Sequence, residues 1–264
     1  MNSKYVVIQI IIAVLLMISV QVYAQNDWNG KKCAVVLSYD DALNTHLDNV
    51  IPLLDSVGLK ATFYLPGSFP GFRNRLNDWA AAAKEGHELG NHTLFHPCEG
   101  EIPGREWVNP DYDLKKYSLQ RMLDEINMDN VLLQALDGKK LRTFAYPCGD
   151  MKAGDSSYVE RIKSSFIAAR SVESNIQKLN DIDLYNIGCY MINNQSGEEL
   201  ISLVKEAMEN DALIVFLFHG VGGEHNINVS LEAHRKLIEY LKQNEQSIWI
   251  APLCEIAQFI KQKR

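Results

Sequence analysis

The 264-residue sequence has no excess of basic residues: 26 Lys and Arg stand against 33 Asp and Glu, a formal net charge of -7 at pH 7. That balance argues against nucleic acid or an anionic membrane surface as the main partner, and it is neutral about sugars. There is no low-complexity stretch and no internal repeat, which removes disordered tails and solenoids from consideration. Cysteine is scarce, at five. An odd count in an exported chain leaves at least one thiol unpaired. Cys33 and Cys189 lie in apolar runs and read as small core residues, so a dense disulfide framework is not indicated. No cysteine directly follows the N-terminal apolar run, which argues against a lipid-anchored one. The Glu of a metalloprotease H-E-x-x-H is also missing, because Thr93 holds its place between His92 and His96.

What is present begins with an export signal. "MNSK" is a short basic start, "YVVIQIIIAVLLMISV" an apolar run, and Val22 and Ala24 form a small-residue cleavage pattern before Gln25. Residues 1–24 are expected to be a signal peptide. The alternative is an uncleaved membrane anchor, since the run is longer than a usual h-region. Either way the rest faces an extracytoplasmic space, periplasmic or secreted. Residues 25–264 are long enough for one large α/β domain with its own core.

Strand-like and helical runs then alternate. "CAVVLSY", "KATFYLP", "HELGNHT", "LRTFAYP", "FIAARSV", "LYNIGCYMI", "ALIVFLFHG" and "SIWIAPL" read as strands. Helical spacing covers "NTHLDNVIPLLDSVG", ended by Gly58, and "LNDWAAAAKEG". It recurs in a long segment stopped by Gly138, in "SSYVERIKSS", "GEELISLVKEAMEN" and "SLEAHRKLIEYLKQN". Such β–α units predict a parallel sheet covered by helices, either open or closed into a barrel. Polar residues gather where strands end: Asp40 and Asp41, His92, "YPCG" and His219. In such folds chemistry occupies the carboxyl ends of the strands, so these motifs should converge on one face.

His92 and His96, four apart, would project from one face of a helical turn. They are either a satisfied structural pair or two legs of a metal site. Asp41 can be a helix cap. Added to the two imidazoles, it completes a facial set for a divalent ion with open positions. Neighbouring Asp40, pointing elsewhere, would stay free as a base. His219, at the end of the most apolar run outside the signal, is a structural histidine or a positioned acid. "AYPCG" shapes a tight backbone that could present an N–H to an oxyanion.

"SYDD", "HTLFHP", "AYPCG" and "FLFHG", in that order, resemble the motifs of the polysaccharide deacetylases of carbohydrate esterase family 4, over about residues 31–255. The resemblance implies a distorted (β/α) barrel with a mostly parallel inner sheet. It also implies metal-dependent hydrolysis of an acetyl group on a carbohydrate polymer or oligosaccharide. Carried over, Asp41, His92 and His96 would hold the metal: Zn2+ first, with Co2+ or Ni2+ as substitutes. Asp40 would be the base, the Cys148 backbone N–H the second oxyanion donor, and His219 the acid. Two departures stand out. The third motif has Ala145 where the family often has an Arg, and Arg170 in "AARSV" is the candidate replacement. Asp183 and Tyr185 in "NDIDLYN" are the best match for the Asp and aromatic that usually stand near the acid.

Cys98 and Cys148 each follow a motif proline and read as small unpaired side chains, with a disulfide or a metal role as the alternatives. His46 and His234 fall in helices and read as surface or cap-adjacent. His87 is not assigned a role, and His225 sits in a Gly-rich loop without fixed geometry. Trp107 reads as the packing anchor of its loop, the alternative being a sugar-stacking surface. The same residues leave two other functions open: a carbohydrate-binding relic without turnover, and an amidohydrolase acting on a non-sugar C–N bond. No nucleic-acid or stable protein partner is implied.

Overall fold

A computed structural model describes residues 28–264; the signal-peptide reading of residues 1–24 lies outside the described residues. The strands are β1 (Cys33–Asp40), β2 (Thr62–Leu65), β3 (Glu88–Asn91), β4 (Phe144–Ala145), β5 (Lys152–Ala153), β6 (Ser156–Ser157), β7 (Ala169–Arg170), β8 (Gln177–Lys178), β9 (Tyr190–Met191), β10 (Ala212–Phe218), β11 (Gly220–Val221), β12 (Asn228–Val229) and β13 (Ile248–Ile250).

β1 is buried along its whole length. It pairs in parallel with β2 and β10, and its first residues also pair with β13. From β2 the sheet continues in parallel through β3 and β4 to β7, while β10 pairs in parallel with β9. A parallel bridge from Arg170 to Ile187, just before β9, brings the two edges toward each other. The expected curled, mostly parallel barrel is therefore present. β8, paired antiparallel to β10, is the exception to the parallel sense.

Alternation along β1 separates two cores, as a strand buried on both faces requires. Val35, Leu37 and Tyr39 pack with Leu54, Leu200, Val204 and Leu237 from the covering helices. Ala34 and Val36 face Tyr64, Ala145, Cys189 and Leu217, closed off by Leu253, Ile256 and Ile260. Those last three belong to a helix, Leu253–Lys263, that follows "SIWIAPL" and that the sequence reading passed over.

Helix ends follow local chemistry. Gly58 and Gly138 terminate their helices in the left-handed conformation, as expected for C-terminal glycines. Gly197–Glu209 opens with a capping box between Ser196 and Glu199. The first helical segment starts differently, with a π-helical turn over His46–Val50 before Ile51–Val57.

Two histidine placements differ from the sequence reading. His46 and His234 are buried, not at the surface. His234 Nε2 is 2.8 Å from the Tyr39 hydroxyl, and His46 Nε2 is 2.8 Å from the His219 carbonyl oxygen. Each lies on the inward stripe of its helix, where a polar ring persists because it has a hydrogen-bond partner.

Candidate functional site

The end of β1 turns sharply. Asp41 and Ala42 both have positive φ, 77° and 51°, which non-glycine residues adopt only when their surroundings impose it. The Asp41 N–H donates to the Tyr64 carbonyl at 3.1 Å, holding the turn against β2. Across the turn Glu224 accepts from the Thr45 N–H at 2.8 Å and from Asn44 Nδ2 at 2.7 Å, tying it to the loop between β11 and β12. The two aspartates consequently point into one cleft from different angles.

His92 and His96 do not share a helical turn. They follow β3 in a loop where Thr93 and His96 have φ of 64° and 52°. Side chains replace the missing helix: Asn91 Oδ1 accepts from the Thr93 N–H, and Thr93 Oγ1 from the His96 N–H, each at 2.9 Å. Asn91 Nδ2 in turn donates to the Ile126 carbonyl of the long helix Leu119–Asp137. Local hydrogen bonds of Asn and Thr compete with helix formation, and here they prevail.

The three groups nevertheless meet. Ligand atoms of Asp41, His92 and His96 lie within 4.8 Å of one another. Asp41 Oδ1 is 3.5 Å from His96 Nε2 and 3.8 Å from His92 Nε2. Donors each about 2.1 Å from a common tetrahedral centre are about 3.4 Å apart, so the set is close to that spacing already. His92 Nδ1 is 2.8 Å from the Ala145 carbonyl oxygen, an acceptor that fixes the proton on Nδ1 and leaves Nε2 with its lone pair. Burial pushes the His92 pKa well below its ordinary value, with the neighbouring His96 adding to the effect. Burial would raise the Asp41 carboxyl, but His96, His219 and His92 outweigh it and hold it below its usual value. The result is a neutral His92 imidazole beside the Asp41 carboxylate, the protonation state that metal ligation requires.

Asp40 lies deeper. Its Oδ2 is ion-paired with Arg170 Nη2, and the guanidinium is buried above the Tyr64 ring. Burial alone would lower the Arg170 pKa; the adjacent Asp40 carboxylate is the largest of the influences that instead raise it. Asp40 Oδ1 is buried without a hydrogen-bond partner. Arg170 on β7 pairs in register with Ala145 on β4, so the cation comes from the strand beside the third motif.

His219 Nε2 is 3.8 Å from Asp41 Oδ2. Burial lowers its pKa, opposed by Asp41 and Asp40. His225 stacks on its ring at 4.8 Å and 16°, and His225 Nδ1 accepts from the Ile227 N–H. That loop does have a fixed geometry, and its histidine is a site residue the sequence reading missed; its closeness to His219 in the chain was the available signal. Among the described residues no carboxylate stands behind His219, whose Nδ1 is buried and unpartnered.

Asp183 and Tyr185 are not brought to the cluster. Asp183 is exposed and accepts from the Tyr185 N–H, and the Tyr185 hydroxyl donates to the Lys163 and Phe166 carbonyls. Both serve a turn outside the barrel. Cys98 and Cys148, expected to be unpaired, form a disulfide. Cys148 has φ 55° and its carbonyl accepts from Arg105 Nη2. Trp107 is no packing anchor, being 63% exposed.

Comparison with known proteins agrees with this fold. The polysaccharide deacetylase family model matches residues 28–163, a little over half of the chain. A curated relative, the uncharacterized protein YlxY of Bacillus subtilis (strain 168), is 29% identical over 109 residues, 41% of this chain and 29% of that protein. The chain thus spans under a third of that relative's length. A putative polysaccharide deacetylase from Mycobacterium smegmatis superposes with a TM-score of 0.65 at 13% identity, covering 89% of this chain and 92% of that one. A probable polysaccharide deacetylase from Pseudomonas aeruginosa PAO1 gives 0.64 at 11% identity, covering 91% and 95%. At such identities the structural likeness speaks for the fold, and the family rests on the sequence match. The chain belongs to the polysaccharide deacetylase family.

Proposed function

We propose that this protein is an exported, metal-dependent hydrolase that removes N- or O-linked acetyl groups from a carbohydrate polymer or oligosaccharide. The observation that carries this reading is the division of labour between adjacent carboxylates. Asp40 is held by buried Arg170, and Asp41 faces three imidazoles. The donor set of Asp41, His92 and His96 fits a divalent ion, zinc before cobalt or nickel, because two neutral imidazoles and a carboxylate suit it and Asp41 Oδ1 lacks any other partner. Held there, such an ion would supply Lewis acidity toward the acetyl carbonyl and toward water.

The chain's own groups do the rest. Arg170 pins one oxygen of Asp40, and the free Oδ1 takes the proton of the attacking water as general base. The left-handed turn at Cys148 offers its backbone N–H to the developing oxyanion. His219, neutral at rest because of burial, receives the proton that Asp40 took from the water and passes it to the leaving nitrogen or oxygen. Beside the Cys148 turn a groove of about 390 Å³, lined by Glu99, Asp150, Lys152, Ser171 and Glu173 among others, suits the hydroxyls of a neighbouring sugar. The N-terminal segment delivers the protein outside the cytoplasm.

Acetate release from acetylated xylan, chitooligosaccharides and peptidoglycan glycans, with and without Zn2+ or Co2+, tests the proposal. Release from at least one, abolished in Asp40→Asn and in His92→Ala, is expected. No release from any of them under either condition overturns it.

A further inference from the structure

We propose that Cys98 and Cys148, once reduced, join His96 in a second, sulfur-rich site for a soft divalent cation such as zinc. His96 would serve two ligand groups through its two ring nitrogens. Its Nε2 is 3.5 Å from Asp41 Oδ1, whereas its Nδ1 is 3.7 Å from Cys98 Sγ. The ligand atoms of His96, Cys98 and Cys148 all lie within 4.8 Å of one another. Two thiolates and an imidazole are zinc donors, with a fourth position left open.

In the oxidised chain the two sulfurs are bonded to each other and cannot ligate. A dithiol reductant supplies two electrons and two protons, the S–S bond breaks, and the reductant closes to its own disulfide. Ion binding then releases both thiol protons and, where His96 Nε2 already holds the first ion, the remaining ring proton, so that His96 bridges the two sites as an imidazolate. The sulfurs remain neighbours after cleavage because other bonds hold the two loops together. Asp150 Oδ2 accepts from the Glu99 N–H at 2.7 Å and from Arg105 Nη1 at 2.6 Å. Arg105 Nη2 reaches the Cys148 carbonyl at 3.0 Å, and Asp113 Oδ1 accepts from the Gly100 N–H at 2.9 Å. This frame depends on no sulfur. The redox state of one bond therefore sets which metal donors the cleft presents.

Cobalt titration of the whole protein tests this, before and after reduction with dithiothreitol and anaerobic desalting. The oxidised protein should take one Co2+ with weak visible bands only. The reduced protein should take a further Co2+ with an intense near-ultraviolet thiolate-to-cobalt band. Cys98→Ser and Cys148→Ser should each lose that band, and so should reduced wild type after alkylation with iodoacetamide. Cys33, Cys189 and Cys254 are free thiols in both states and cancel in the difference. Reduced wild type without the thiolate band overturns the inference. An oxidised protein that binds no Co2+ would instead count against the Asp41–His92–His96 reading, and the band after reduction would still decide the sulfur site.

Discussion

Asp40 and Arg170 are 130 residues apart, yet they form a fully buried ion pair in the cleft. A buried pair contributes little net stability, but removing one partner strands the other's charge. Arg170→Ala should cost about 3–5 kcal/mol in denaturant unfolding and remove most acetate release, because Asp40 loses both its counter-charge and its orientation. Arg170→Lys should recover part of the stability but little of the activity, since a single ammonium cannot copy the guanidinium. Undiminished activity in Arg170→Ala would reject the positioning role. At this scale residue type and chain order were enough to single out Asp40, Asp41, His92, His96 and His219 as side chains that the fold gathers in one cleft. They were not enough for Asp183, because carrying a motif over by order alone says nothing about which turn a loop follows. The disulfide was equally hidden: Cys98 and Cys148 are 50 residues apart, and only the fold juxtaposes them. His46 and His234 were misjudged because a single histidine does not show which stripe of its helix faces inward.

The elements that carry the site differ in how plainly their sequences show them. β10 is seven unbroken apolar residues and β1 opens with five, and both were evident. β4, β7 and β9 are two residues each, too short for any periodicity. The spacing of His92 and His96 suggests a helix, but two left-handed residues and the Asn91 and Thr93 side chains make a loop that brings both rings to one point. The turn after β1 is the most constrained connection. A Cβ on Gly71 would stand 1.9 Å from the Ala42 carbonyl oxygen, a backbone atom that cannot swing aside. Gly71→Ala should therefore push the Asp41–Ala42 turn out of place, costing about 1–3 kcal/mol and weakening divalent-ion affinity together. Thermal unfolding of the metal-free protein and ion titration by calorimetry check the two parts. A variant with unchanged affinity would mean that the turn is held by β2 alone.

At the scale of the whole molecule, the barrel encloses histidines that no proposed chemistry uses. His46, His87 and His234 are buried, and burial is the first cause that drives their pKa values down from 6.5, to about 4, about 4 and about 3. Their neutral forms are held by partners: the His219 carbonyl oxygen for His46, the Ala61 N–H for His87 and the Tyr39 hydroxyl for His234. Below pH 6.5 the unfolded chain binds protons that the folded chain refuses, so folding weakens as the solution is acidified. Each histidine contributes a loss of up to about 1.4 kcal/mol per pH unit until its folded value is reached. Stability should hold from pH 8 to about 7 and then fall steeply toward pH 4. The chain's seven histidines include two expected metal ligands, so the experiment is best done on metal-free protein. His87 is the informative substitution, because it lies at the far end of β3 from the cleft. Replacing it with Gln removes one proton acceptor of the unfolded state and should reduce the acid slope between pH 6.5 and 5 by about a fifth, because burial also holds His92 and His219 down in the metal-free chain. Urea unfolding at half-unit pH steps reads both slopes. A midpoint that stays level from pH 7 to 5 in wild type would mean that these three rings take up protons without unfolding.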